Sequence, residues 1–241
     1  MAYIPDSPEE IFDEFTRDFK SIYDSQLISI NLYGTSAKGE YIAKKSDINF
    51  LIVLDKKGIE ELDKSFAILP KWRKCNVAVP LFLTKAYINS SLDTFPIEFL
   101  DMQNFYKLIY GEDILNGLVI KESHLRHQIE RELRGKLIHL REGFLIAGHD
   151  RDRLLEMLAA SVPSFILVFA ALLFLKKEML PHSKESVFQR TSEIFGLQNC
   201  VFRNLVSIKK IEWHGSKVQL HEVTKAYIKQ VDKLVEIVDK M

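Results

Sequence analysis

The chain has 241 residues, of which 47% are hydrophobic and 27% are charged. This composition suits one large or two modest globular domains and excludes general disorder. Its 33 lysines and arginines balance 33 acidic residues, which excludes a global electrostatic field for nucleic acids or anionic membranes. Two cysteines without metal-type spacing, and residues 1–6 without a signal-peptide pattern, predict a cytoplasmic protein.

The first half of the chain alternates between predicted helices and strands. Ser7-Pro8-Glu9-Glu10 has the hydroxyl, proline and glutamate of a helix start, and apolar residues then recur at helical spacing up to Tyr23. The elements that follow are a strand at 27–33, a strand at 48–54, a helix at 59–69, a strand at 77–83, a short helix at 86–92, a strand at 97–102 and a turn at 110–113. This order is typical of an α/β domain. Pro80 restricts its strand to an edge, an end or a bulge.

The second half has long helical periods, which begin near residue 119. We therefore predict a boundary near Gly117, with an α/β domain at 1–117 and a helical domain at 118–241. The predicted helices span 121–146, 151–177, 184–195, 201–208 and 218–240. Five helices joined by short loops predict an antiparallel bundle.

One helix of the second half is unusually apolar. Residues 157–175 contain no charged residue over 19 positions, close to the length that spans a bilayer. A helix that is apolar all round also suits the centre of a bundle. We interpret it as a buried helix, because the amphipathic helices around it need an apolar partner.

The stretch at 33–53 contains the residues that point to chemistry. A predicted strand ends in Gly34-Thr35-Ser36, the loop continues through Gly39, and Asp47 and Asn49 open the next apolar strand. Glycine lets an anion approach the backbone, where hydroxyl and amide groups can hold a phosphate. An ordinary turn also favours glycine and serine. Side chains at i and i+2 of a strand share a face, so positions 47 and 49 are expected to point to one metal.

This pattern resembles that of the nucleotidyltransferase superfamily, including its minimal and aminoglycoside nucleotidyltransferases, in which Gly-Ser precedes Asp-x-Asp or Asp-x-Glu. The resemblance implies an α/β fold with a small mixed sheet and flanking helices, followed by an all-α antiparallel helical bundle. It also implies a nucleoside triphosphate as substrate and Mg²⁺ as cofactor, bound between the two domains. The implied nucleotide-binding residues are Gly34, Thr35, Ser36 and Gly39.

The same resemblance assigns catalysis and metal binding to Asp47, Asn49 and Glu98. The chain departs from the family at Asn49, whose amide oxygen can bind a cation without adding charge. Alternatively, Asn49 bonds the backbone of the turn. Glu98 is the expected third acid, with Asp101 behind it, because a charge in an apolar run needs a partner. That partner is alternatively an arginine of the helical half. Lys38 is expected to be solvated.

Two functions from different classes stay open. One is a metal-dependent enzyme that transfers a nucleoside monophosphate to a hydroxyl acceptor. The other is a nucleotide-sensing or protein-interaction module, antitoxin-like, which Asn49 favours. Ribonuclease activity from Arg134 and His139 is a third hypothesis, although a basic helix face produces this spacing by chance. The expected partners are a nucleoside triphosphate and an unidentified acceptor, without nucleic acid or membrane, and a homodimer stays open.

Overall fold

The chain forms two compact units, Met1–Ile120 and Lys121–Met241. The computed structural model describes residues 3–181 and 183–241. The division falls in the irregular segment 112–121, close to the boundary predicted near Gly117. The first unit contains the strands and the second consists of helices.

The first unit is built on one four-stranded mixed sheet. The strands are β1 (Leu27–Tyr33), β2 (Asn49–Leu54), β3 (Leu81–Thr84) and β4 (Tyr106–Gly111). The helices are α1 (Phe12–Tyr23), α2 (Lys56–Glu60), α3 (Leu69–Lys74), α4 (Lys85–Ser90) and α5 (Pro96–Asn104). The strand order is β3-β2-β1-β4, with β1 antiparallel to both of its neighbours and β2 parallel to β3. This is the predicted α/β arrangement.

The central strand β2 separates two apolar layers, because successive strand side chains point to opposite faces of a sheet. One face packs on α1 and α3 through Phe50, Ile52, Phe15, Phe19 and Trp72. The other packs on α4, α5 and the following loop through Leu51, Val53, Ile88, Phe99 and Leu115. Asn49 precedes Leu51 by two residues and therefore lies on the face of α5.

The predicted strand at 97–102 is wrong, because these residues lie in helix α5. Pro96 occupies the first turn of this helix, where its missing N–H group costs no hydrogen bond. A short apolar run is compatible with a buried helix or a buried strand, so periodicity alone does not separate them.

The fourth strand is β4, whose last residues were predicted as a turn. Gly111 has a φ of 80°, and a Cβ atom there would lie 2.0 Å from the carbonyl oxygen of Ile28. This glycine therefore permits close backbone contact between two paired strands. No residue of β4 is fully buried, as is typical of the edge strand that it forms.

The region after β2 is more broken than the predicted helix at 59–69. It consists of α2, a 3-10 turn at Leu62–Ala67 and α3. Asp55 starts α2 because its Oδ1 accepts a hydrogen bond of 2.7 Å from the backbone N–H of Gly58. Pro70 lies in the first turn of α3 rather than at the end of a helix.

Pro80 has the effect that was predicted for it. Val77 forms only an isolated bridge with Ile48, and β3 begins after the proline. Since β3 is an edge strand, the missing N–H group removes no interior hydrogen bond.

The second unit is a bundle of five helices. They are α6 (Glu122–Ala147), α7 (Arg151–Leu175), α8 (Lys184–Phe195), α9 (Asn199–Lys209) and α10 (Lys217–Asp239). Helix α7 contacts the other four helices. The core of the bundle contains a cluster of aromatic rings formed by Phe165, Phe169, Phe188, Phe202 and Tyr227. Among the described residues, α7 is the one helix long and apolar enough to cross a membrane by length and composition. Its place in the bundle agrees with the buried-helix interpretation.

Candidate functional site

The turn after β1 begins with a glycine that the local geometry requires. Gly34–Ser36 forms a short 3-10 turn, and Gly34 has a φ of 75°. Tyr33 pairs with Asn49 across the two strands, which brings the Asn49 side chain against the turn. A Cβ atom at position 34 would lie 3.2 Å from Asn49 Nδ2. Any other residue here would be strained and would crowd Asn49.

Two side chains fix the backbone before β2. The hydroxyl of Ser36 donates a hydrogen bond of 3.2 Å to the carbonyl oxygen of Asp47. Asn49 Nδ2 donates to the same oxygen at 3.4 Å. Asn49 therefore bonds backbone, as its alternative interpretation stated, although the backbone belongs to Asp47. The carboxylate of Asp47 is left exposed at the end of the sheet.

The remaining predicted nucleotide-binding residues lie at the surface of the loop. Thr35 is exposed, so its hydroxyl is open to solvent. Gly39 has a φ of 75° and would meet no atom within 4 Å if it carried a Cβ. Its role is conformational, since there is no crowding for it to relieve.

Helix α5 supplies the acids that were expected from a strand. Glu98 lies half-buried in its first turn, and Asp101 follows three residues later on the same side of the helix. Asp101 Oδ1 lies 2.6 Å from the Nζ atom of Lys38. Lys38 also lies 4.9 Å from the centre of the Phe105 ring. Lys38 was expected to be solvated, and it is an exposed residue, but its ammonium group is paired with a carboxylate of α5.

A protein-bound pair of magnesium ions would need several carboxylates around it. Within residues 3–181 and 183–241, no three or more His, Cys, Asp or Glu side chains form a group that could hold a metal ion. The segment at 77–83, in which Val77 forms a bridge with Ile48, contains no acid. Asp47, Asn49 and Glu98 together offer two carboxylates, which is less negative charge than the three acids expected for a two-metal centre.

A buried polar strip lies behind the turn and was missed in the sequence. Asn31 is fully buried on β1, and its Nδ2 donates to the hydroxyl of Ser29 at 3.1 Å. Its Oδ1 has no hydrogen-bond partner among the described residues. Tyr33 lies two residues further along the same face, and burial raises the pKa of its phenol. Alternating apolar and small polar residues in β1 were the available signal.

The basic residues of α6 are paired within the helical unit. Arg126 and Arg134 both donate to the carboxylate of Glu130, and Arg134 also donates to Asp239 at 2.7 Å. His139 lies exposed on the same helix. Arg134 of the spacing that suggested a ribonuclease site is thus paired both within α6 and with α10.

Comparisons with known proteins identify the fold. No protein-family model and no curated protein matches the sequence. A solved structure that does match is a spectinomycin adenyltransferase, AAD(9) from Enterococcus faecialis, determined with ATP and spectinomycin. The TM-score is 0.55 at 12% identity, and the likeness covers 94% of this chain and 98% of that chain. At this identity the likeness concerns the fold alone. The chain therefore has a nucleotidyltransferase-like fold, with an α/β unit followed by a helical unit.

Proposed function

We propose that this protein binds a nucleoside triphosphate, together with the Mg²⁺ ion that accompanies it, at the turn between β1 and β2. The observation that carries the proposal is the convergence of Gly34, Ser36, Asp47 and Asn49 at one end of the sheet. A structure of similar fold was determined with ATP, which supports a nucleotide as the ligand. Glycine turns bring backbone and hydroxyl donors close to phosphate oxygens.

Each residue of the turn has a different task in this proposal. Gly34 lets the backbone approach the phosphates, and the exposed hydroxyl of Thr35 donates to one of their oxygens. Ser36 positions the site, because its hydroxyl already donates to the backbone. Gly39 provides the positive φ that the loop needs. The exposed carboxylate of Asp47 contacts the Mg²⁺ of the substrate, since carboxylate oxygens are good ligands for this ion.

The contacts of Asn49 support binding without transfer. Its side chain donates a hydrogen bond to a backbone carbonyl, which an ionised carboxylate cannot do. Nucleotidyl transfer with two metal ions needs concentrated negative charge. We therefore propose a nucleotide-sensing module, and we keep transfer to a hydroxyl acceptor by Asp47, Asn49 and Glu98 as the alternative that experiment must separate from it.

Isothermal titration calorimetry of the full chain with ATP, GTP, CTP and UTP, each with and without Mg²⁺, tests binding. We expect saturable binding of at least one triphosphate and loss of its Mg²⁺-dependent part in Asp47→Asn. Asp63→Asn is the matched control, because Asp63 is another exposed aspartate of the first unit. Failure of the parent protein to bind any of the four triphosphates would overturn the proposal.

Incubation with triphosphates labelled at the α-phosphate, in the presence of spectinomycin, separates sensing from transfer. A sensing module leaves the label in the triphosphate. A transferase produces a labelled acceptor and loses this activity in Glu98→Gln. Labelled product from the parent protein would replace the sensing role by the enzymatic one.

A further inference from the structure

Lys38 is the loop residue whose side chain is fixed by α5. Its Nζ atom lies 2.6 Å from Asp101 Oδ1 and 4.9 Å from the centre of the Phe105 ring. The side chains of Lys38 and Asp101 are only 28% and 23% exposed. An isolated exposed lysine pair contributes little to stability, but here the ammonium group has a ring beside it as a second partner in addition to the carboxylate.

The backbone of Lys38 belongs to the candidate site. Its N–H group donates a hydrogen bond of 3.2 Å to the carbonyl oxygen of Gly34, the first residue of the turn. The ammonium group is thus attached by one flexible side chain to the segment where we place the phosphates. Four rotatable carbons let it leave Asp101 without any change in the turn.

We propose that Lys38 binds the terminal phosphates of the nucleoside triphosphate, and that Asp101 is an internal anion that holds Lys38 until the nucleotide replaces it. This inference rests on the proposed function. A lysine binds phosphate as a compact point charge, and the exchange substitutes several phosphate oxygens for one carboxylate. The pair therefore makes Lys38 a specificity-determining residue that favours triphosphates over monophosphates.

The exchange predicts opposite effects for the two partners. Lys38→Met should weaken triphosphate binding by about tenfold, the value of one charge-assisted hydrogen bond, and should leave monophosphate binding unchanged. Lys38→Arg should restore most of the affinity, because the positive charge returns. Asp101→Asn should strengthen triphosphate binding by a similar factor, because Lys38 is then free.

A double-mutant cycle separates competition for Lys38 from general repulsion. If Asp101 acts through Lys38, Asp101→Asn gains little affinity in the Lys38→Met background. An equal gain in both backgrounds would overturn the proposal, since Asp101 would then simply repel the phosphates. Equal losses of triphosphate and monophosphate affinity in Lys38→Met would overturn it as well.

The matched control is a second lysine with the same kinds of partner. Lys71 Nζ lies 2.6 Å from Glu14, 2.7 Å from Asp18 and 4.6 Å from the centre of the ring of Trp72, which packs on the other face of the sheet. Lys71→Met and Asp18→Asn should bind triphosphates like the parent.

Calorimetry with the triphosphate and the monophosphate of one nucleoside gives the affinities, and thermal unfolding verifies that each variant is folded. Parent binding that no variant changes would overturn this inference alone. A parent that binds no triphosphate would overturn both this inference and the proposed function.

Discussion

The Nδ2 atom of Asn49 lies 3.4 Å from the backbone carbonyl oxygen of Asp47 and donates to it. The same amide faces Gly34, where an added Cβ would approach it to 3.2 Å. The side chain in the second acidic position of the motif thus lies between the glycine turn and the backbone of Asp47. Its contribution to the site is a hydrogen-bond donor in place of a negative charge.

Asn49→Asp should destabilise the metal-free protein by about 1 kcal/mol, because a carboxylate oxygen then faces a carbonyl oxygen and a hydrogen bond is lost. Mg²⁺ bound to residues 47 and 49 would offset this repulsion. The melting temperature of the variant should therefore rise with Mg²⁺ more than that of the parent. Asn89→Asp, on the exposed side of α4, is the control. If Mg²⁺ raises the melting temperature of the variant no more than that of the parent, positions 47 and 49 share no ion.

Gly34→Ala should lower the free energy of unfolding by about 1–2 kcal/mol, because a φ of 75° is strained for any residue with a Cβ. Triphosphate affinity should fall with it, since Asn49 must move. Gly117→Ala is the control, because its Cβ would meet no atom within 4 Å. Chemical denaturation compares the variants, and equal stabilities would contradict the requirement for glycine at position 34.

The phenol of Tyr106 should titrate above the ordinary pKa of a tyrosine. Burial and its hydrogen bond of 2.6 Å to Asp113 raise its pKa from 10.0 to about 12. The unfolded chain loses this proton first, so the free energy of unfolding should fall as the pH rises from 10.0 to about 12. Asp113→Asn should lower the pKa of Tyr106.

Phenolate absorbance measures this titration, with Tyr106→Phe subtracted to isolate the one residue. An unchanged titration in Asp113→Asn would show that the carboxylate does not act on Tyr106.

Ser161→Ala should lower the free energy of unfolding of the helical unit by about 1–3 kcal/mol, because the hydroxyl of Tyr227 is then buried without a partner. These two hydroxyls lie 3.3 Å apart, and Ser161 also donates to the carbonyl of Leu158 at 2.7 Å. Tyr227→Phe removes the buried donor, so the double variant should cost less than the sum of the single variants. Urea denaturation measures the cycle. Ser164→Ala is the control, since its hydroxyl donates to the carbonyl oxygen of Ser161 within the same helix.

Local signals were enough to predict the paired strands of the turn and the long helices. Gly34, Ser36, Asp47 and Asn49 lie close in sequence, and strand pairing brings them together. The bundle helices extend over several turns, so their periodicity is strong. Short elements lack this advantage, and α5 has only nine residues.

The contacts of α5 were beyond sequence reasoning because they are long-range. Lys38 and Asp101 lie 63 positions apart, and no local pattern connects a loop lysine to an acid in a misassigned strand. Assignment of a helix at Pro96 would have placed Glu98 and Asp101 on one side. It would still not have shown which basic residue faces them.

A single residue, Phe105, separates α5 from β4. Since Tyr106 pairs with Tyr33 at the very start of that strand, α5 cannot slide without breaking the sheet beside the turn. We therefore expect this end of the first unit to be rigid. The binding site beside the turn should therefore be preformed, so that ligand exchange needs only fast rotation of side chains and no closing movement of the backbone.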